Sequence, residues 1–188
     1  MANDMYPFHI YGYTFAILYL CLQKENHSAM DLRIGNGYDL HLLAENLPFW
    51  LGGIKIEHSK GCVAHSDGDT LIHALCDALL GSLALGDIGH HFPDNSNEFK
   101  GIDSKILLQR SYNLVKEQGY RLVNADCTIL LQKPKIARYI PQMRETLASV
   151  LGCELSQISI KATTTEGADA VGREEAIAAY ATVLCCKG

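Results

Sequence analysis

The sequence predicts a single α/β domain, and three observations support this class. The chain has 188 residues, which is enough for one sizeable core and not comfortably for two. Hydrophobic residues make up 48% of it, as in ordinary globular proteins. Predicted helices and short strands follow one another from about residue 31, so residues 31–188 are expected to form the domain.

Residues 1–30 are predicted to be an extension outside this core. The apolar run over residues 11–22 is too short to span a bilayer, which needs about 20 residues. No Lys or Arg precedes the run, no small-x-small cleavage site follows it, and a plastid transit peptide would be rich in Arg. We interpret Met30 as the natural start and the preceding residues as an upstream reading of the gene or a dispensable extension.

Charge and cysteine usage exclude several classes of protein. The net charge is -5 at pH 7 and the sequence has no run of Lys or Arg, which argues against binding to nucleic acid or to an anionic membrane. None of the seven cysteines forms a C-x-x-C pair, and several lie in apolar segments. Free buried thiols and a reducing compartment, the cytoplasm, are therefore expected.

The first half of the domain is predicted to hold a strand, a hairpin and a core helix. A strand covers residues 33–41, and residues 48–56 read as two short strands joined at Gly52-Gly53. Residues 70–85 are almost all apolar or small, which indicates a helix packed on most of its circumference. Ser66, with Asp69 three residues later, resembles a capping box, and Gly86 would end the helix. Residues 89–101 are dense in Pro, Asn, Asp and Gly, so a polar loop, capable of acting as a lid, is expected there.

The second half is predicted to alternate between helices and strands. An amphipathic helix spans residues 103–118 with Gly119 as its stop, and a strand covers 124–131. A further helix covers residues 140–151, with Pro141 in its first turn and Gly152 just past its end. Strands at residues 158–161 and 176–186 complete the sheet.

A polar stripe on the apolar core helix suggests a metal site. Asp69, His73 and Asp77 follow one another at i, i+4 spacing, and ionisable groups buried on a helix need partners. Asp39 and His41 share one side of the first strand because residues i and i+2 point the same way. With His73 they make a two-imidazole, one-carboxylate set, which is typical of catalytic Zn²⁺. The alternative is that Asp39 and His41 are polar loop residues and that His73 is a satisfied core histidine.

Two strand exits could hold phosphate. Residues 162–167 read A-T-T-T-E-G, where hydroxyls and backbone N–H groups could cradle an anion and Glu166 could hold a divalent cation. The Lys133-Pro134-Lys135 loop brings two cations to another exit. The alternatives are a β-branched strand and a solvated basic turn, and His90 and His91 are taken as surface residues.

Taken together, the motifs from residue 32 onward resemble the 2-C-methyl-D-erythritol 2,4-cyclodiphosphate synthases of the non-mevalonate isoprenoid pathway. They are R-I-G-x-G-x-D-x-H at 33–41, A-H-S-D-G-D at 64–69 with His73, A-L-G-D-I-G at 84–89, F-P-D at 92–94, K-A-T-T-T-E at 161–166 and G-R-x-E at 172–175. Each motif is weak alone, but their order and spacing are specific.

The resemblance implies a fold, an assembly and a reaction. It implies a mixed sheet with helices on one face, and a homotrimer whose sheets face the three-fold axis and whose active sites lie between subunits. The implied enzyme is a cyclising phosphorus-oxygen lyase. It acts on 4-diphosphocytidyl-2-C-methyl-D-erythritol 2-phosphate, whose 2-phosphate attacks the β-phosphorus, releases CMP and closes a cyclic diphosphate.

The resemblance also implies roles for individual residues. Zn²⁺ would be bound by Asp39, His41 and His73, and Mg²⁺ or Mn²⁺ bridging the substrate's phosphates by Glu166. His65 and Thr164 would steady the transition state. Arg173 and Glu175 would line the trimer axis, where an isoprenoid diphosphate could bind in a cavity. Substrate contacts would come from Asp39, His41, His65, Ser66, Asp87, Ile88, Gly89, Phe92, Pro93, Asp94, Asn95, Ser96, Leu131, Lys133, Pro134, Lys135, Ile136, Ala137, Thr163, Thr164, Thr165, Glu166, Ala170 and Arg173.

Two other functions fit parts of the pattern. A zinc-dependent phosphohydrolase would use a metal-bound water and release a linear product. A trimeric binding protein would keep the metal as a structural ion and sense an isoprenoid diphosphate around Arg173 and Glu175.

Overall fold

In the described part of the chain, a five-stranded sheet and a two-stranded hairpin pack against four α-helices. The computed structural model describes residues 31–93 and 97–188. The predicted extension, residues 1–30, and the predicted substrate contacts Asp94, Asn95 and Ser96 lie outside the described residues. In chain order the elements are β1 (Leu32–Glu45), β2 (Phe49–Leu51), β3 (Ile54–Ile56), β4 (Lys60–Cys62), α1 (Thr70–Ser82), α2 (Ile88–His91), α3 (Ser104–Glu117), β5 (Tyr120–Leu130), α4 (Ile140–Leu151), β6 (Ile158–Thr163) and β7 (Ala176–Lys187).

The five-stranded sheet is mixed, as the resemblance implied. Its strand order is β4-β1-β7-β5-β6, and only the β5–β6 pair is parallel. β2 and β3 form the predicted hairpin, with Gly52 and Gly53 at its turn. The short edge strand β4 was not predicted, because three residues carry too little periodicity to reveal a strand.

The core helix α1 lies directly on β1. A Cβ atom built at Gly35 would lie 1.9 Å from the carbonyl oxygen of Ala78, and one at Gly37 equally close to that of Ala74. Only glycine at these two positions leaves room for a helix backbone at this distance. The G-x-G in the first strand therefore sets how closely α1 approaches β1.

Several predicted helix ends are correct, including the start of α1 at Thr70, whereas the end and the cap of α1 differ from the prediction. α4 matches its predicted range, with Pro141 in the first turn and the left-handed Gly152 at its end. α3 begins after Asp103 and ends before Gly119, as predicted. α1, however, ends at Ser82 rather than near Gly86, because its backbone leaves helical geometry at Leu83. Its cap is Asp69, whose carboxylate accepts from the N–H of Ile72, so the predicted box based on Ser66 is not formed.

The segment predicted as a loop over residues 89–101 contains some regular structure. α2 covers its first residues, and a 3-10 turn occupies Asn97–Phe99. Asp87 caps α2 by accepting from the N–H of His90. Asp and Asn favour loops because they hydrogen-bond to nearby backbone, and the same property lets them begin short helices.

The part of the open sheet face that β1 and β7 form is largely apolar and exposed. Alternate residues of β1 point to this face, and Ile34 is 72% exposed. Tyr38 lies against Tyr180 of β7, with ring centroids 4.7 Å apart. The large exposed hydrophobic side chains on these two strands are Leu32, Ile34, Tyr38, Leu40, Leu42 and Tyr180. A contiguous apolar surface of this kind is typical of a protein–protein interface.

The cysteines of the described chain are all free thiols, as the composition predicted. Cys76 and Cys127 are fully buried, and Cys21 lies outside the described residues. Among the described residues, no helix has both the length and the apolar character needed to cross a membrane.

Candidate metal centre and substrate cavity

A cavity of about 440 Å³ opens between β1, α1, α2 and the residues that follow β4. Eight of the predicted site residues line it, namely Asp39, His41, His65, Ser66, His73, Ile88, Gly89 and Phe92. The cavity combines charged groups at its base with apolar side chains at its wall, including Ile102 and Leu107. Such a mixture is typical of sites that bind a small polar ligand.

Asp39, His41 and His73 meet at the base of this cavity, as their spacing predicted. The Asp39 Oδ2 atom lies 3.2 Å from His73 Nδ1 and 3.4 Å from His41 Nδ1. One donor atom from each side chain falls within 4.8 Å of the others. A strand and a helix that are distant in sequence thus bring three metal-binding groups together.

The chemistry of these donors fits a metal ion. His41 Nε2 is buried and has no hydrogen-bond partner among the described residues. Buried polar atoms are nearly always paired, so an unpaired imidazole nitrogen on a residue of this three-donor group indicates a ligand site. Two imidazoles and one carboxylate also leave coordination positions open, as catalytic sites require.

The environment of His73 favours its charged form when no ion is bound. Burial lowers the pKa of His73, but the hydrogen bond and negative charge of Asp39 outweigh burial. The charges of Asp69 and Asp67 act in the same direction, so the pKa of His73 lies above its ordinary value. Metal ions bind the neutral imidazole, so the raised pKa of His73 makes metal binding depend on pH.

Asp69 does not belong to the metal set, although it lies on the same helical stripe as His73. Its carboxylate accepts from the N–H groups of Gly52 at 2.9 Å and Gly53 at 2.6 Å, in addition to capping α1 at Ile72. Burial raises the pKa of the Asp69 carboxyl, while these backbone donors lower it. Asp69 thus fastens the β2–β3 turn to the start of α1 and has a structural role.

Asp77, the third residue of the stripe, lines the cavity and holds α2. Its carboxylate accepts from the N–H of Ile88 at 2.7 Å. Burial raises its pKa, and the charges of Asp87 and Asp39 raise it further. The side chain therefore fixes the segment around Ile88 and Gly89 over the cavity.

The predicted phosphate loops do not line this cavity within the same chain. They lie beside each other at the ends of β5 and β6, where the N–H of Leu131 donates to the carbonyl of Thr163. The Thr164 hydroxyl donates to Glu166 at 2.7 Å, and Lys133 pairs with Glu174 at 2.9 Å. Lys135 is exposed and makes no ion pair with the described residues.

Most of the remaining predicted residues lie in this second region, whereas Asp87 caps α2 and Pro93 directly follows the cavity residue Phe92. Arg173 and Glu175 form an exposed ion pair at 2.9 Å, and Ala170 packs against the small apolar group of Val171, Ala176 and Ala178. Pro134, Ile136 and Ala137 follow β5, with Ile136 buried. A single chain therefore holds two half-sites, which are groups of predicted site residues at the same end of its sheet, one on β1 and one after β5 and β6, on opposite sides of β7.

Two residues without a predicted role support the metal set: Ser104 contacts His73, and Asp67 holds Ser104. Ser104 Oγ lies 3.0 Å from His73 Nε2, and Asp67 accepts from both the N–H and the hydroxyl of Ser104. Ser66 Oγ also lies 3.1 Å from His73 Nε2. Asp103 and Ser104 at the start of α3 are typical of a helix cap. No local sequence pattern connects Ser104 to His73, which lies 31 residues earlier.

Comparisons with known proteins agree with these observations. The model of the YgbB family matches residues 32–186. A curated 2-C-methyl-D-erythritol 2,4-cyclodiphosphate synthase from Bacteroides thetaiotaomicron is 54% identical over 155 residues, which cover 82% of this chain and 98% of that protein. One from Porphyromonas gingivalis is 57% identical over 152 residues, covering 81% of this chain and 94% of that protein.

Solved structures share the fold. A 2C-methyl-D-erythritol-2,4-cyclodiphosphate synthase, described as its bound form with CDP, superposes with a TM-score of 0.76 at 35% sequence identity. The match covers 81% of this chain and 99% of that one. At this level of identity and coverage the likeness extends over the whole domain.

Proposed function

Because the chain belongs to the YgbB family, we propose that it catalyses the reaction for which its curated relatives are named. It converts 4-diphosphocytidyl-2-C-methyl-D-erythritol 2-phosphate to 2-C-methyl-D-erythritol 2,4-cyclodiphosphate in the non-mevalonate isoprenoid pathway. The observation that carries the proposal is the meeting of Asp39, His41 and His73 at a cavity, in a chain of this family.

The reaction is a cyclising cleavage of a phosphorus–oxygen bond. An oxygen of the 2-phosphate attacks the β-phosphorus, the bond from that phosphorus to the bridging oxygen breaks, and CMP leaves with this oxygen. One P–O bond forms as another breaks, so no water, oxidant or further substrate is consumed. This balance makes the enzyme a phosphorus-oxygen lyase.

We assign two metal sites to the chain. Zn²⁺ would be bound by Asp39, His41 and His73, and Mg²⁺ or Mn²⁺ by Glu166. When bound, divalent ions offset the repulsion between phosphate groups and stabilise the charge that develops on their oxygens.

The chain's own side chains would position the substrate. His65 and Ser66 line the cavity, and Asp77 holds Ile88 and Gly89 beside it through the N–H of Ile88. Phe92 packs against Phe99, with ring centroids 5.6 Å apart, and gives the cavity an apolar wall for the carbon skeleton. Holding the attacking and leaving oxygens in line can supply several kcal/mol of the barrier reduction.

The second half-site would receive the cytidine diphosphate part of the substrate. Thr163, Thr164, Thr165 and the residues 131–137 offer hydroxyls, backbone groups and the exposed Lys135 at one end of the sheet. We assign transition-state stabilisation to Thr164 together with His65. The remaining substrate contacts would come from Asp87, Pro93, Asp94, Asn95, Ser96, Ala170 and Arg173.

A homotrimer would bring the two half-sites together. The exposed apolar face of β1 and β7 provides a surface for association, and the phosphate loops do not line the cavity of their own chain, which supports completion of each active site by a neighbour. We place the Arg173–Glu175 pairs around the trimer axis, where an isoprenoid diphosphate could bind. Such an enzyme would work in the cytoplasm.

The test is incubation of the purified protein with the cytidyl substrate, followed by phosphorus NMR. Cyclic diphosphate and CMP should appear in equal amounts, and a chelator should stop the reaction. A linear product would indicate a hydrolase, and ligand binding without turnover would indicate a binding protein; either result contradicts the proposal.

The variant His73→Ala should lose zinc and turnover while keeping its fold. His90→Ala is the matched control, because this exposed histidine of α2 lies outside the metal set. Full activity of zinc-free His73→Ala would contradict the proposed metal site.

A further inference from the structure

Asp67 and Ser104 form a chain of hydrogen bonds that ends on the outer nitrogen of His73. The Ser104 hydroxyl donates to Asp67 Oδ1, and the Ser104 N–H donates to Asp67 Oδ2 at 2.9 Å. Ser104 Oγ in turn lies 3.0 Å from His73 Nε2. Ser104 is fully buried, so water does not compete for these contacts.

The direction of these hydrogen bonds follows from the chemistry of the groups. An ionised carboxylate only accepts, so Asp67 takes the hydroxyl proton of Ser104. The Ser104 oxygen then has only lone pairs to present to His73 Nε2, which must therefore act as the donor. Ser66 Oγ, which accepts from the N–H of Gly68 at 3.2 Å, lies 3.1 Å from the same nitrogen and has a second lone pair that can accept from it.

A proton held on Nε2 leaves Nδ1 of a neutral His73 with a free lone pair. This nitrogen faces Asp39 Oδ2 at 3.2 Å, on the side where the three donors meet. Metal-binding histidines commonly donate their other ring N–H to an acceptor that fixes the tautomer and the ring orientation.

We propose that Asp67, acting through Ser104, is a positioning residue that fixes the tautomer of His73 so that Nδ1 binds the metal ion. The inference rests on the zinc site of the proposed function. It assigns no contact with substrate to either residue. A further hydrogen bond joins the segment after β4 to the residues before α3: the N–H of Asp67 donates to the carbonyl of Ile102 at 3.1 Å.

The most informative variant is Asp67→Asn, which keeps the size of the side chain but replaces a charged group that only accepts hydrogen bonds with a neutral amide that also donates. Both carboxylate oxygens accept from backbone N–H groups, Oδ1 from Asp69 and Oδ2 from Ser104. An amide has one oxygen, so its NH₂ group must face either the Ser104 hydroxyl or a backbone donor. In the first orientation the Ser104 hydroxyl turns its proton toward His73 and favours the wrong tautomer.

Zinc affinity is measured for the full chain by competition with a chromophoric chelator at pH 7.5. Asp67→Asn and Ser104→Ala should each weaken zinc binding about 10- to 100-fold. Ser111→Ala is the matched control, because Ser111 is also fully buried, lies two turns along α3 and faces Cys76 rather than the metal set. Its zinc affinity should stay within about twofold of that of the unaltered chain, and thermal unfolding of the zinc-free variants detects any general loss of structure.

The tautomer is read directly from ¹⁵N NMR of the imidazole rings in the zinc-loaded chain. The unaltered protein should show His73 with protonated Nε2 and metal-bound Nδ1. A metal-bound Nε2, or an affinity of Asp67→Asn equal to that of the unaltered chain, would overturn the inference. An unaltered chain that binds no zinc overturns both this inference and the proposed metal site, whereas zinc binding without cyclic product overturns only the proposed reaction.

Discussion

At the scale of single residues, Asp69 shows how one carboxylate can determine local structure without taking part in chemistry. It satisfies three backbone N–H groups from two separate segments, the β2–β3 turn and the first turn of α1. A buried donor left without a partner costs about 1–3 kcal/mol. The side chain therefore stabilises the platform from which His73 projects one turn later.

Replacing Asp69 with Ala should lower the free energy of unfolding by about 3 kcal/mol or more, since a helix cap and two buried hydrogen bonds are lost together. Asp103→Ala is the matched control, because Asp103 caps α3 through a single bond to the N–H of Lys105. We expect Asp103→Ala to lower the free energy of unfolding by about 1 kcal/mol. Chemical unfolding at one protein concentration measures both, and equal losses would contradict the assigned role.

Lys135 is expected to contribute to substrate binding. It is exposed and makes no ion pair within the described part of the chain, whereas Lys133 already pairs with Glu174 at 2.9 Å. Lys135→Ala should raise KM about tenfold or more, since a hydrogen bond to a charged group contributes about 1.5–3 kcal/mol. Lys133→Ala should have a smaller effect, and steady-state kinetics with kcat measured alongside KM compares them. An unchanged KM for Lys135→Ala would argue against a phosphate contact.

At the scale of secondary-structure elements, the contact between β1 and α1 builds the metal set. Asp39 and His41 lie on the same strand as Gly35 and Gly37, and His73 lies on the helix that rests on these glycines. The distance between strand and helix is therefore also the distance between the donors. We therefore expect zinc binding to depend on the small residues of β1, which set how closely α1 approaches.

Gly37→Ala should displace α1 and weaken zinc binding about tenfold or more, because a methyl group would overlap the carbonyl of Ala74. The protein should also lose about 1–3 kcal/mol of stability. Gly81→Ala is the control: it lies on α1 with no atom within 4 Å of an added Cβ, so it should be neutral or stabilise by up to about 1 kcal/mol. Zinc titration compares the affinities of the two variants, and chemical unfolding compares their stabilities. Normal zinc affinity in Gly37→Ala would contradict this account.

The core elements also determine the reactivity of the thiols. Burial raises the pKa of Cys76 in α1 and of Cys127 in β5 to about 12. Because only the thiolate reacts, alkylation of these residues at pH 8 should be at least about a hundredfold slower in the folded chain than after unfolding. Among the described cysteines, Cys153 is partly exposed and the others are buried, so Cys153 should be alkylated before them. Mass spectrometry of alkylated peptides checks the order, and early modification of Cys76 would contradict the packing of α1.

At the scale of the whole molecule, the sheet has one face covered by helices and one apolar face exposed to solvent. The second face carries Ile34, which is 72% exposed, and five other large hydrophobic side chains of β1 and β7. Leaving such a surface in water is unfavourable, so association through it is expected. The same association would place the phosphate loops of one chain beside the metal set of another.

Ile34→Glu should therefore prevent assembly and abolish turnover, since each active site would lose its second half. Ile106→Glu is the control, because Ile106 is also exposed, at 45%, but lies on α3 rather than on the apolar sheet face. Light scattering coupled to size exclusion gives the mass of each variant. A trimeric Ile34→Glu, or an active monomer, would exclude the proposed interface.

Most of the elements and the three side chains that could hold a metal ion were predictable from local sequence pattern. Helical and strand periodicity, capping residues and turn glycines act over a few residues, so α3, α4 and the hairpin follow from local pattern. The metal set could be predicted because Asp39 and His41 share a strand face and His73 lies on an otherwise apolar helix. Metal ligands are chemically distinctive, and such a small set suffices to indicate them.

Only the tertiary structure decided which polar residues serve structure and which serve the site. The i, i+4 spacing does not distinguish Asp69, His73 and Asp77. In the structure Asp69 holds the hairpin turn, His73 belongs to the metal set and Asp77 holds α2. The Asp67–Ser104–His73 chain also joins residues from separate segments and has no sequence signature. The physical reason is that hydrogen bonds depend on distance and direction in space, and packing of the helices on the sheet sets both.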